Sequence, residues 1–257
     1  NGRLDMIKRA IESLGGYGGK LDAINTQMTA LLQALESGNM SDKEAMAEIA
    51  KKIKELELNS GVIKSKETME YVDLGLPSKI MWAKCDLGAT SPEKYGDEYS
   101  WGETWTKINY DYYYFTDIVE GQYTKYDSRD KRFFLEKEDD VAYLRLGEGW
   151  RYPTWNEMQE LIDNCTVTES TLNGWPGVMF VSKINNNYIF FGYRPKGPTA
   201  ALRWTSAVVE SNPTLAKCLS FERNYETNKI DVSRYDNERK YRIPVRPVYV
   251  KRGAIVK

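Results

Sequence analysis

The sequence predicts an α+β protein in two parts, and three observations carry that expectation. Apolar residues recur at helical spacing through the first 58 residues, with no proline among them. From Tyr71 onward the pattern changes to short alternating runs, large aromatics and turn residues. A single helical period then returns between Pro153 and Asn164.

Leu4, Ile7, Ile11 and Leu14 are spaced three, four, three, and the run Gly15-Gly16-Tyr17-Gly18-Gly19 interrupts them. The pattern restarts at Leu21, Ile24, Met28, Leu31 and Leu35 as an a/d alternation, which Gly38-Asn39 stops. Ser41 with Glu44 forms a capping box, and Met46, Ile49, Ile53 and Leu56 continue on one stripe. Three helices are therefore expected over residues 3 to 58. A seam this narrow suits a partner helix better than a globular core. Leu21, Ile24, Met28, Leu31, Leu35, Ile49 and Ile53 are the expected oligomerisation residues, and their β-branched members permit a trimer. Association between chains is the preferred arrangement, with an antiparallel bundle within one chain as the alternative.

Residues 61–70 read as a polar linker. Tyr71 to Glu103 follows with a Val72/Leu74/Leu76 alternation, a turn at Pro77-Ser78 and a second short strand at Ile80-Met81-Trp82-Ala83. Tyr95, Tyr99 and Trp101 alternate with small or acidic residues, as in a scaffold that wraps loops around an aromatic core. Thr154 caps a helix expected over Thr154–Cys165, with Glu157 at the box position. A weaker helix is expected within Arg132–Leu146. Val178 to Val181 and Tyr188 to Phe191 form a hairpin across Asn185-Asn186-Asn187. Leu202–Ala207, Lys217–Glu222, Lys229–Val232 and Val245–Val250 are further strands.

Composition narrows the function. The 257 residues carry a net charge of −1, which argues against a nucleic-acid partner. Hydrophobic residues make up 41%, enough for a core, yet no apolar run reaches the roughly 18 residues of a membrane span. No membrane insertion is expected, and no leader pattern is present. The chain begins at Asn1 rather than Met, so a fragment or processed product is expected. It contains no histidine, which excludes Ser-His-Asp and Cys-His catalysis and His-ligated zinc. Cys85, Cys165 and Cys218 are sparse and odd in number, and read as small buried apolar residues. The acidic run Glu136/Glu138/Asp139/Asp140 reads as charge bias at a helix start rather than a glycosidase pair. No catalytic residue, cofactor or metal is expected.

Six motifs occur in order: YVDLGLPS, WAKCDLGA, PEKYGDEYSWGET, GWRYPTWNEMQELIDNC, RWTSA and RIPVRPVYV. In these the chain resembles the Fibrobacter succinogenes major paralogous domain, a module of Bacteroidetes and their phages, over about residues 71 to 250. The resemblance implies a C-type-lectin-like fold over 71–257, behind a helical oligomerisation or anchoring segment at 1–60. It implies that the WRxPT element opens a helix and that the terminal VRPV strand returns beside the N-terminal strand. Relatives of that fold serve as adhesins, phage receptor-binding tips and variable proteins of diversity-generating retroelements. The chain departs from the pattern at Lys79-Ile80-Met81, where relatives often carry a glycine turn, and at Tyr241-Arg242-Ile243-Pro244. The calcium-site triplets of true C-type lectins are absent.

On such a fold the ligand face lies just before the terminal strand, about Arg203 to Tyr241. Its candidate ligand-binding residues are Arg223, Asn224, Tyr225, Asn228, Arg234, Tyr235, Asn237 and Arg239, the residue types of an adaptable recognition surface. Trp204 is expected in the core. Tyr112, Tyr113 and Tyr114 form a secondary aromatic patch. The expected function is non-enzymatic: a virion fibre or decoration protein, trimeric, in contact with other virion proteins, whose head binds a host-surface glycan or protein. A bacterial cell-surface adhesin and a purely structural virion protein are the alternatives, with localisation on the virion or, alternatively, extracellular or at the bacterial surface.

Overall fold

The computed structural model describes residues 68–104, 118–119, 122–123, 125–194, 201–224, 226–227 and 229–251. The chain divides between Ser65 and Lys66, and every described residue lies in the second unit. The helices expected over residues 3 to 58, with the seam from Leu21 to Ile53, lie outside the described residues. So does the patch Tyr112–Tyr114.

The described residues correct the α+β expectation. They are mostly β-sheet, with 44% in strands and 12% helical, and no coiled-coil helix occurs among them. The two α-helices are short: α1 at Val141–Leu146 and α2 at Trp155–Asn164. The imbalance arises in Cys165 to Glu238, where strands run longer than their hydrophobic patterns suggest. Polar stretches such as Cys165–Leu172 and Lys229–Glu238 alternate too weakly to announce themselves, and ladder pairing holds them extended.

Short strands come first. β1 (Tyr71–Val72), β2 (Met81–Ala83), β6 (Trp150–Arg151) and β14 (Val248–Tyr249) form an antiparallel sheet ordered β1-β2-β14-β6. The terminal strand thus sits between β2 and β6, one place removed from β1. β3 (Glu98–Ser100) pairs with β13 (Arg242–Pro244), a strand the sequence did not announce, and of the expected strand Val245–Val250 only Val248–Tyr249 is paired. β4 (Ile118–Val119) and β5 (Gln122–Tyr123) make a separate ribbon. Only Tyr71–Val72 of the expected first strand is paired. Leu74 and Leu76 are buried in a loop bent at Gly75 and at Lys79, whose φ is +59°. The Lys79 amide closes that turn onto the Leu76 carbonyl at 2.9 Å, so the bend survives without a glycine.

α2 begins where the capping box predicts. Thr154 Oγ1 accepts from the Glu157 amide, and Glu157 Oε2 accepts from the Thr154 amide at 2.7 Å. The Arg151 guanidinium grips the same carboxylate through two bonds, at 2.8 and 2.5 Å. α1 occupies the end of the expected Arg132–Leu146, and Asp140 caps it by accepting from the Ala142 and Tyr143 amides. The Tyr152 amide also donates to Asp140, at 2.8 Å. Burial pushes the Asp140 carboxyl up to about 6, against these amide bonds, which favour the anion.

The meander β7 (Cys165–Leu172), β8 (Trp175–Ser182) and β9 (Tyr188–Gly192) follows. Asn173 and Gly174, both at positive φ, form its first turn, the residue pair that a two-residue hairpin favours. Across the second turn, Asn185 and Asn187 donate to the Asp73 carbonyl at 2.9 and 2.7 Å. The second meander is β10 (Ala201–Val209), β11 (Asn212–Asn224) and β12 (Lys229–Glu238).

Two hydrophobic clusters flank β10–β11. Ala201, Leu219 and Phe221 join a cluster with Trp82, Leu161, Phe180 and Phe191. Trp204, Val208, Ala216 and Cys218 join a second with Trp101, Trp150 and Tyr152. β10 is buried on both faces from Arg203 to Val208, which is why Leu202–Ala207 shows no clean alternation of apolar and polar residues.

Candidate functional site

The platform of the site is tied by a buried ion triad. Asp86, Arg203 and Arg246 are each 0% exposed. Arg203 Nη2 lies 2.6 Å from Asp86 Oδ2, and Arg246 Nε donates to Asp86 Oδ1 at 2.8 Å. The remaining guanidinium protons go to carbonyls: Arg203 to Leu202 and Gly192, Arg246 to Ala83, Lys84 and Phe190. The rings of Tyr95 and Phe191 stack on them at 4.8 and 4.4 Å. Burial alone would raise the Asp86 carboxyl, but the two guanidiniums outweigh it and hold it below its usual value. WAKCDLGA, RWTSA and VRPV each contribute one member of this triad. Trp101, from the third motif, donates Nε1 to the Thr205 carbonyl at 2.8 Å. The stretch Tyr71–Glu103 is thus internal scaffold.

Trp204 is in the core as expected, its Nε1 donating to the Tyr99 carbonyl at 2.8 Å. Register sets Trp204 beside Cys218 and Cys218 beside Tyr235, so the three side chains share one face of the sheet. Trp204 and Cys218 are 0% exposed, whereas Tyr235 is 50% exposed. The second cluster covers β10 and β11 and ends there, leaving edge strand β12 open to solvent.

Along this face an open hollow of about 340 Å³ is lined by Leu202, Glu222, Tyr235, Asn237 and Tyr241. Small residues explain it. Ser220 lies between Leu202 and Ser233 in register, and neither serine fills the space beside Tyr235. Tyr241 is 39% exposed at one end. Glu222 stands across the ladder from Asp231, two carboxylates side by side. Asp231 accepts from the Asn224 amide at 2.9 Å, and Glu222 meets only the Ser220 hydroxyl, at 3.5 Å. Neither has an ion-pair partner among the described residues. The Lys240 ammonium lies 5.5 Å from the Tyr241 ring centroid and is paired with Glu238.

The other expected ligand residues fall apart from this group. Arg239 is 1% exposed and leaves the recognition face. Its guanidinium lies against the rings of Tyr123 and Trp101, at 4.0 and 4.8 Å, and donates to the Lys125 carbonyl at 3.0 Å. Asn224 shapes the β11–β12 turn, its Oδ1 accepting from the Glu226 and Thr227 amides, each at 3.0 Å. Arg234 is exposed and paired with Asp236 on the opposite face of β12. The Arg223 side chain, Tyr225 and Asn228 lie outside the described residues. Tyr235 and Asn237 are therefore the expected residues that come together. Leu202 and Glu222 were missed as site residues, because each ends or begins a run that reads as core strand. Their signal is period-2 alternation carried across to β12.

The cysteines are buried and free, as expected. Burial raises all three thiols, Cys165 to about 11, which makes them poor nucleophiles near neutral pH. Among the described residues there is no acidic or thiol cluster that could hold a metal ion, and no helix long and apolar enough to cross a membrane. Compared with protein-family models, curated proteins and solved structures, the chain matches none.

Proposed function

We propose that this chain is a non-enzymatic virion fibre or decoration protein whose second unit binds a host-surface ligand through the outer face of β11–β12. One observation carries the reading: two half-exposed tyrosines, an amide and an unpaired carboxylate surround a single hollow at a sheet edge. Large rigid aromatic area beside adaptable polar groups is the composition of recognition surfaces. The buried triad behind the face supports the reading too, because it holds the platform rigid and lowers the entropy lost on binding. The sequence resemblance to the Fibrobacter succinogenes major paralogous domain adds the virion and the surface of Bacteroidetes as the setting.

Binding of the full chain to a panel of Bacteroidetes cells tests this. The double variant Tyr235→Ala/Asn237→Ala removes side chains from an edge strand and leaves both hydrophobic clusters intact. Loss of cell binding with an unchanged circular dichroism spectrum is the expected result. Undiminished binding would move recognition elsewhere and favour a head that only packs on neighbouring virion proteins. Self-association, expected from the seam at Leu21 to Ile53, is checked by mass in solution, where a concentration-independent monomer would remove the trimer.

A further inference from the structure

We propose that the hollow takes a hydroxyl-rich sugar without negative charge and turns anionic glycans away, an inference that rests on the recognition face above. The ring faces of Tyr235 and Tyr241, extended by Leu202, offer the apolar surface on which the C–H face of a pyranose lies. Glu222 supplies an acceptor carboxylate, and among the described residues the hydrogen bond it accepts is the long one from the Ser220 hydroxyl. Asn237 uses Oδ1 to accept from the Glu238 amide, which leaves its NH₂ as a donor at the hollow. A carboxylate and an amide donor together match the paired donor and acceptor of neighbouring sugar hydroxyls. The volume of about 340 Å³ suits a short oligosaccharide and is small for a protein epitope.

The charge is what selects. Glu222 and Asp231 are directly opposed in register on this face, an arrangement that weakens a sheet. No ion pair among the described residues engages either carboxylate, and the nearby Lys240 is engaged by Glu238. A sialylated, uronic or sulfated sugar would bring a third negative charge to this pair. A neutral or amino-bearing sugar would find acceptors.

Binding of the full chain to neutral hexose and N-acetylhexosamine oligosaccharides, and to their sialylated and sulfated counterparts, decides the matter. Neutral oligosaccharides should bind, with the anionic counterparts weaker by about fivefold, the effect of one like charge a few ångströms away in water. Tyr235→Ala should weaken neutral binding by about tenfold, the loss of one stacking ring. Glu222→Gln should narrow the gap between neutral and anionic sugars. Equal or tighter binding of the anionic glycans by the unmodified chain would overturn the inference. So would the absence of any glycan binding by a chain whose cell binding is lost in Tyr235→Ala/Asn237→Ala, a result that leaves the recognition face standing. Cell binding unaffected by that double variant would remove both.

Discussion

Asp86 is the residue on which most of the fold converges, and its removal would strand two guanidiniums in the interior. Breaking a buried pair by deleting one member costs about 3–5 kcal/mol. Asp86→Ala is therefore expected to lower the free energy of unfolding by that amount in urea titration, or to leave no cooperative transition. Lys79 acts in the opposite sense. It holds a φ of +59°, where glycine would carry no steric penalty. Lys79→Gly should raise stability by about 1 kcal/mol, the left-handed penalty less the unfolded-state entropy of glycine. Asp140 gives a pH signature. Its carboxyl is raised from 3.8 to about 6, so the folded state holds the proton more tightly than the unfolded state does. That contribution is present at low pH and lost as the pH rises through this window. Relative to Asp140→Asn, the unmodified chain should gain about 2–3 kcal/mol in urea unfolding as the pH falls from about 7 to about 4.

The elements differ in how much of themselves they announce. α2 was legible to within a residue at each end, because its signals are local: Thr154, Glu157 and the spacing of Met158, Leu161 and Ile162. The β8–β9 hairpin was legible for the same reason, with Asn186 at positive φ in the turn. β7 was not, since CTVTESTL mixes threonines and a serine with one buried side and takes its conformation from pairing with β8. β12 shows the same weakness and carries the site. Its like-charge pairing with Glu222 also makes a stability prediction. Glu222→Gln should stabilise the protein by about 0.5 kcal/mol, read as a higher urea midpoint with an unchanged slope.

At the scale of the molecule, long-range closure decides the fold, and sequence patterns carry little of it. Arg246 and Asp86 are 160 residues apart along the chain. Arg203, Arg239 and Arg246 all read as surface residues by type, yet all three are buried. What marks Arg203 and Arg246 is an arginine inside an apolar run; Arg239 had no such mark, because Trp101, Tyr123 and Tyr126 reach it only in three dimensions. The same closure predicts the effect of truncation. β14 fills the gap between β2 and β6, and Arg246 precedes it by two positions. A chain ending at Tyr241 should therefore lack a cooperative unfolding transition by calorimetry, since it loses a central strand and one of the triad's two guanidiniums.

The division of labour between β11 and β12 has an evolutionary consequence. Ala216, Cys218, Leu219 and Phe221 commit the middle of β11 to one core or the other, whereas much of β12 is tethered by backbone bonds and faces water. Substitutions at Asp231, Ser233, Tyr235 and Asn237 alter what the surface meets while leaving the aromatic cores untouched. Their effects on stability should be small and nearly additive with those of core substitutions, as for sites that share no partners. Ligand preference can then drift on this strand without eroding the fold that displays it.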